Sequence, residues 1–270
     1  PADVPSGYHD LQVALDTGTA ARCRLVVAPQ TCYEPPVIEA GGRLWGVAAQ
    51  LYSLRSRRNW GIGDFADLQE LVSHCVAAGA GFVGLNPLHA LFPGNPQSFS
   101  PYSASSRHFL NVLYLAVDRL PELDECAAAR ARYRSATFQA ELERLRATPN
   151  VDYAGVAAAK LSMLEMLFEH FRTEHMARNS LRARQYTGFK ARRGEALRLH
   201  ALHDAIDEAL RRQDAMYWGW PVWPEALRDP RQAGVSAFTG LHADRVEYYA
   251  WLQWLADEQL REVQAQARSL

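Results

Sequence analysis

The densest group of residues able to do chemistry is Asn59-Trp60-Gly61-Ile62-Gly63-Asp64-Phe65. Two glycines let backbone come close to a ligand, and Trp60 offers a flat apolar ring of the kind that matches the C–H face of a sugar. The same ring serves equally well in packing. Asp64, with Asp67 three residues on, is read as a helix cap rather than a catalytic group. A second group, Ser98-Phe99-Ser100-Pro101-Tyr102-Ser103, is followed by Ser105, Ser106 and Asn111. Its hydroxyls and aromatic rings, with no charge among them, suit a neutral polyhydroxylated ligand better than a phosphate. A plain Pro-Ser turn with a surface tyrosine reads the same residues. The third group is Asn86-Pro87-Leu88-His89. Here His89 is placed to touch a substrate, although a lone histidine is more often packed or solvated.

Other patterns carry less. His200 and His203 lie one helical turn apart with Asp207 on the same face, but a metal needs more ligands than that. The run Arg178, Arg182, Arg184, Lys190, Arg192, Arg193 and Arg198 reads as a solvated helical face, not a polyanion site. There is no Gly-x-Ser-x-Gly elbow, phosphate loop or His-Glu-x-x-His. Gly61-x-Gly63 lacks the third glycine of a dinucleotide fingerprint. Neither metal nor organic cofactor is expected.

These groups must be positioned by the elements around them. The stretch 1–36 reads as a β-rich or irregular lead-in from an upstream region. Arg43 to Tyr52 is a mostly apolar run suited to a strand covered on both faces. After a basic loop, Asp64 caps a helix with Leu68, Leu71, Val72, Cys75 and Val76 at helical spacing until Gly79. Gly81 to Asn86 is a second buried strand, which completes a βαβ unit and implies a parallel sheet. The long polar segment from Pro87 to Asn111 leaves the carboxyl end of that strand, where loops carry function. Residues 37–118 therefore form two βα units with substrate loops, and 119–242 form a helical insertion. One of its helices carries Val156, Leu161, Leu164, Leu167, Phe168 and Phe171 on a single face. A last helix over 243–270 presents Tyr249, Leu252, Ala256, Leu260 and Val263.

The chain has 270 residues, 48% hydrophobic and 22% charged, with 29 basic against 30 acidic side chains. It can bury a sizeable core without disulfide or metal staples. A formal charge of −1 gives no field to hold nucleic acid or an anionic membrane, and neither is an expected partner. Cys23, Cys32, Cys75 and Cys126 are too irregularly spaced to suggest a disulfide framework or a zinc site. No apolar run approaches a membrane span, so a soluble, cytoplasmic protein is expected. The opening Pro1-Ala2-Asp3-Val4-Pro5 has neither an initiator Met nor a signal-peptide plan, and reads as part of something longer.

Taken together, Trp45 to Ser56, Asn59 to Phe65, Asn86-Pro87-Leu88-His89-Ala90-Leu91-Phe92 and Ser100-Pro101-Tyr102-Ser103 closely resemble the amylomaltases, which are bacterial 4-alpha-glucanotransferases. The match runs in register from about Leu44 to Asp118 and resumes at Tyr249 to Leu255. The resemblance implies an α/β fold: part of a (β/α)8 TIM barrel of the alpha-amylase clan, with a helical insertion after the second strand. It also implies retaining transfer of α-1,4-glucan segments between maltooligosaccharides. One carboxylate attacks the anomeric carbon, and an acid about 5 Å away protonates the leaving oxygen.

By position, the resemblance assigns donor-side sugar contacts to Ser100 and Tyr102, with Pro101 setting their turn. Trp60, Asn86 and His89 would shape floor and rim. The family's nucleophilic Asp, acid/base Glu and second Asp correspond to positions beyond Leu270, so no catalytic residue is assigned here. The rest of the barrel is expected in a parent chain or a completing chain, and this chain alone is expected to be inactive. The rival readings are a non-catalytic glucan-binding or interaction module, and a hydrolase of the same clan.

Overall fold

The computed structural model describes residues 4–18 and 20–270. Residues 1–3 and 19, which fall within the expected lead-in, lie outside the described residues. The chain divides into two compact units, one ending at Trp45 and one running from Gly46 to Leu270. The division falls later than Pro36, where composition placed it.

In the first unit, β1 (Gly7–Ala14) and β2 (Ala20–Val27) pair antiparallel as a hairpin, with Gly7 opposite Val27 and Ala14 opposite Ala20. The short α1 (Pro36–Glu39) follows, with proline in its first turn where no amide hydrogen is needed.

The second unit begins with the expected βαβ element. Strand β3 (Gly46–Ala49) and β4 (Phe82–Leu85) pair parallel through α2 (Phe65–Ala77), with Gly46 opposite Phe82 and Ala49 opposite Leu85. The first strand is shorter than the Arg43–Tyr52 run. At Leu51 the backbone leaves the sheet, because its N–H donates to Asn86 Oδ1 at 2.7 Å and residues Leu51–Ser53 curl into a 3-10 turn. Beyond β4, β5 (His89–Ala90) and β6 (Ser106–Leu110) pair antiparallel around a long excursion.

The stretch that follows is helical: α3 (Pro121–Glu125), α4 (Ala127–Arg134), α5 (Ala136–Ala147), α6 (Tyr153–His170), α7 (Leu181–Gln213) and α8 (Ala233–Leu241). α7 is two helices joined at Gly194, whose φ of 55° no helical residue adopts. The closing α9 (Ala243–Ser269) buries Tyr249, Leu252, Ala256 and Val263, as the helical spacing requires, with Leu260 half-buried. Its polar residues also hold the fold. Gln253 exchanges hydrogen bonds with both backbone groups of Leu110, at 2.9 and 2.8 Å, and Gln259 does the same with Ala116, at 2.9 and 3.0 Å. No helix of the described residues is long and apolar enough to cross a membrane.

Lys160 of α6 is fully buried and donates to the carbonyls of Leu113 and Leu115, at 2.8 and 2.7 Å. Burial lowers its pKa to about 8, against the pull of Asp64 and other acids. The unfolded chain, with lysine near 10.4, therefore binds more protons between those values, and stability rises with pH across that window by at most about 3 kcal/mol. The buried phenols work the other way above pH 10, because burial raises Tyr114, Tyr153 and Tyr248 and only the folded chain keeps those protons. Urea midpoints measured at pH 7.5 and 9.5 should rise in the wild type, and Lys160→Met should abolish that rise. Equal slopes in the two proteins would refute the account.

Candidate functional site

The loop between β3 and α2 is wired to the protein rather than opened to a ligand. Asp64 caps α2 by accepting from the amides of Ala66 and Asp67, at 3.0 and 3.1 Å, while Asp67 accepts from Asp64 N at 3.0 Å. This is a reciprocal capping box. Arg58 reaches into the same point. Its guanidinium bonds to Asp64, to Asp67 at 3.0 Å and to Asp118 at 2.7 Å. Burial opposes Arg58's charge, but the hydrogen bond and charges of Asp64, Asp118 and Asp67 outweigh it and raise the pKa. Burial also drives the Asp64 pKa up, with Lys160 and Arg58 opposing. Asn59 completes the loop, donating to Asp67 at 2.9 Å and to Leu54 O at 3.1 Å.

Trp60 is not a sugar platform. It is 0% exposed, stacked on Tyr133 of α4 at 5.7 Å and 15°, with the edge contact of Phe138 of α5 at 5.2 Å. Insertion rings take the faces a sugar would need. The glycines beside it are corrected in the same way. A Cβ on Gly63 would lie 2.0 Å from Leu51 O, and one on Gly61 would lie 2.7 Å from Leu145 Cβ. Gly61 also has φ 86°, which disfavours any side chain. Close approach is indeed what these glycines permit, but the partner is this chain's own backbone.

The accessible site lies at the carboxyl ends of β3 and β4. An open groove there is lined by Ala49 and Leu85 at the strand ends and by the polar side chains of Gln50, Ser53, Asn86 and Tyr102. Tyr102 is 74% exposed. Its place is set by a turn in which Ser103 N donates to Ser100 O at 3.0 Å, with Pro101 between them. Ser100 is exposed in that turn and Pro101 half-buried. The loop is anchored from the insertion, because Phe99 stacks on Tyr153 at the start of α6 with ring centroids 4.5 Å apart and nearly parallel. Asn86 is buried and committed, its Oδ1 holding Leu51 N and its Nδ2 donating to Pro87 O at 2.8 Å and Tyr114 Oη at 3.2 Å. It forms floor by fixing one strand end to the other. His89 is half-buried in β5 opposite Leu110 and does not line the groove.

Two later polar residues that follow the second motif have structural partners. Ser105 donates to Ala90 O and Leu91 O at 3.1 and 2.7 Å, and Asn111 accepts from Leu113 N at 3.0 Å. Gln50 and Ser53 are groove residues that pattern reading did not single out. The signal was their position just past the first strand. No carboxylate of the described residues lines the groove, and its chemistry is that of amide, hydroxyl and ring. Such a surface can hold neutral sugar by hydrogen bonding and stacking, without making or breaking a bond.

The basic run is absorbed within the chain. Arg182 pairs with Glu122 and Glu258 at 2.8 and 2.7 Å, Lys190 with Glu247 at 2.5 Å and Arg193 with Asp257 at 2.6 Å. His203 pairs with Asp204 at 3.1 Å, His200 stacks on Phe109 at 4.2 Å, and Asp207 holds Arg211 at 2.7 Å. Those three polar residues of α7 do not converge.

Residues 49–270 match the protein family described as 4-alpha-glucanotransferase. The chain is 38% identical over 264 residues to a 4-alpha-glucanotransferase of Haemophilus influenzae, covering 97% of this chain and 38% of that protein. It is 39% identical over 276 residues to one of Mycobacterium tuberculosis, covering 99% and 36%. The chain thus spans 36 to 38% of the length of these relatives. The crystal structure of amylomaltase from Corynebacterium glutamicum superposes with a TM-score of 0.74 at 30% identity, over 100% of this chain and 34% of that one. An amylomaltase from Streptococcus agalactiae, solved in complex with acarbose, shares the fold at a TM-score of 0.61 and 18% identity, over 84% of this chain and 41% of that one.

Proposed function

Since the chain belongs to the 4-alpha-glucanotransferase family, we propose that it forms the donor-side sugar wall of a longer enzyme that moves α-1,4-glucan segments between maltooligosaccharides. The observation that carries this reading is the uncharged groove at the carboxyl ends of β3 and β4, in which Tyr102 presents an exposed ring beside amide and hydroxyl groups. A neutral glucan offers C–H faces to the ring and hydroxyls to Gln50, Ser53 and Ser100. Pro101 restricts the turn that presents them and Asn86 fixes the floor, while His89, outside the groove, keeps no sugar contact in this reading. Trp60 contributes from behind, as the packing that holds the β3–α2 loop.

The bond-making groups are two carboxyls supplied by the rest of the longer protein. One attacks the anomeric carbon as the other gives its proton to the leaving glycosidic oxygen. That second group then takes the proton of the acceptor's sugar hydroxyl as the new glycosidic bond forms and the first carboxylate is released. The reaction needs no metal or organic cofactor. In this reading β3 and β4 are the first two strands of a (β/α)8 barrel, and α3 to α8 form an insertion after the second. An apolar cleft bordered by Val72, Phe82, Leu85, Leu260 and Val263 supports further barrel elements packing there, because Phe82 is 54% exposed beside it. The isolated 270-residue chain is then inactive.

Incubation of the longer protein with maltotriose should release glucose and build maltooligosaccharides longer than the substrate. Glucose without longer products would replace transferase by hydrolase. No products at all would overturn the catalytic reading.

A further inference from the structure

We propose that Glu125, His170 and His175 form a binding site for a divalent transition-metal cation of zinc type, far from the groove in sequence and independent of the reaction assigned to it. The three side chains come from two elements of the insertion, the end of α3 and the junction of α6 with α7. One potential ligand atom of each lies within 4.8 Å of the other two.

The convergence depends on an unusual piece of backbone. Residues Phe171–Met176 form a π-helix, closed by Ala177 N donating to Arg172 O at 3.0 Å. In a regular α-helix, positions five apart point about 140° away from each other around the axis. The wider turn instead brings His170 and His175 to one side, with ring centroids 6.1 Å apart and planes at 82°. Such π-turns recur at functional sites. The chain then reverses through Asn179, at φ 47°, and Ser180 N returns to His175 O at 3.1 Å.

That return places Ser180 Oγ 2.9 Å from His175 Nδ1. A neutral imidazole that donates from Nδ1 to this hydroxyl carries a lone pair on Nε2. Nε2 lies 2.6 Å from Glu125 Oε2, so a lone pair would face a carboxylate oxygen. Something positive must lie between them, either a proton or a metal ion. The second histidine favours the metal. His170 Nε2 lies 3.8 Å from the same carboxylate oxygen, and its ring nitrogens have no hydrogen bond among the described residues. A proton satisfies one imidazole; a cation satisfies both and the carboxylate together.

Two imidazoles and one carboxylate are a donor set suited to zinc, with water filling the remaining coordination. Tetrahedral zinc at ~2.0–2.2 Å from each donor requires donors roughly 3.3 Å apart, between the separations present here. Glu125 is half exposed on its side chain, and Ser180 stands behind the ring of His175 as an outer partner at 2.9 Å from Nδ1.

Calorimetric titration of the 270-residue chain with zinc chloride should give one saturable equivalent, and zinc should raise the melting temperature. His170→Gln and Glu125→Gln should each weaken binding at least about tenfold, Ser180→Ala by about tenfold, and His203→Gln not at all. Substituted cobalt should give the visible bands of a four-coordinate ion, lost in Glu125→Gln. Glu125 lies on the surface, so its variant tests the site even if a histidine variant unfolds. Absence of a stoichiometric event, or wild-type affinity in Glu125→Gln, would leave only a His175–Glu125 hydrogen bond and overturn the proposal.

Discussion

Arg58→Met is expected to destabilise the protein by about 3–5 kcal/mol, because it removes a partner that three buried carboxylates share while leaving the carboxylates in place. The side chains of Asp64, Asp67 and Asp118 are 0%, 4% and 9% exposed. Arg58 ties the N-terminus of α2 to Asp118, in a 3-10 turn just ahead of the insertion. Without it, Asp64, whose pKa burial already pushes up, loses one of the charges that oppose that rise, and its folded-state pKa climbs further. The folded variant then binds more protons than the unfolded chain above the ordinary carboxylate pKa of about 4, so its stability falls as pH rises. The variant's deficit in urea unfolding should therefore be larger at pH 8 than at pH 5. A deficit below about 0.5 kcal/mol, or one equal at the two pH values, would show that the network does not hold the fold.

The second large effect separates two aromatic residues that composition treats alike. Trp60→Ala empties a site between Tyr133 and Phe138 and should cost about 3–5 kcal/mol. Tyr102→Ala removes a mostly exposed ring and should change stability by no more than about 0.5 kcal/mol. Function should divide the other way. In the longer protein, Tyr102→Ala should lower transfer from maltotriose by about tenfold or more, since stacking of a ring in a desolvated contact contributes on the order of 1–2 kcal/mol. Unfolding curves and product analysis on the same two variants decide the matter. A stable Trp60→Ala protein with lost transfer, or a Tyr102→Ala protein with unchanged transfer, would reverse the assignment of the sugar-facing ring.

Local rules were legible because they act over a few residues. Asp64 and Asp67 stand at capping-box spacing, and both halves of that box form. The apolar positions of α6 and α9 recur with the helical period, and most of them are buried. The turn at Pro101 follows from proline chemistry, and the two parallel strands follow from apolar runs separated by a helix. The lack of charge along Ser98 to Ser103 likewise points to a neutral ligand from local composition alone.

Sequence alone thus determined the βαβ element, its cap, the helical character of the stretch after it and the family, because each is written in neighbours or in ordered motifs. Only the tertiary structure decided which of these residues meet. An indole face is equally suited to a sugar and to another ring, and Trp60 found Tyr133 and Phe138 far along the chain. The spacing of Gly61 and Gly63 signals close approach without saying to what, and the answer was Leu145 and Leu51. Arg58 had three acids to choose from only once Asp118 was folded against it. Histidines five residues apart do not share a face of an α-helix, so no helical pattern could join His170 to His175; the π-turn did. In these cases the deciding term is a contact or a backbone geometry whose energy depends on distances that spacing along the chain does not encode.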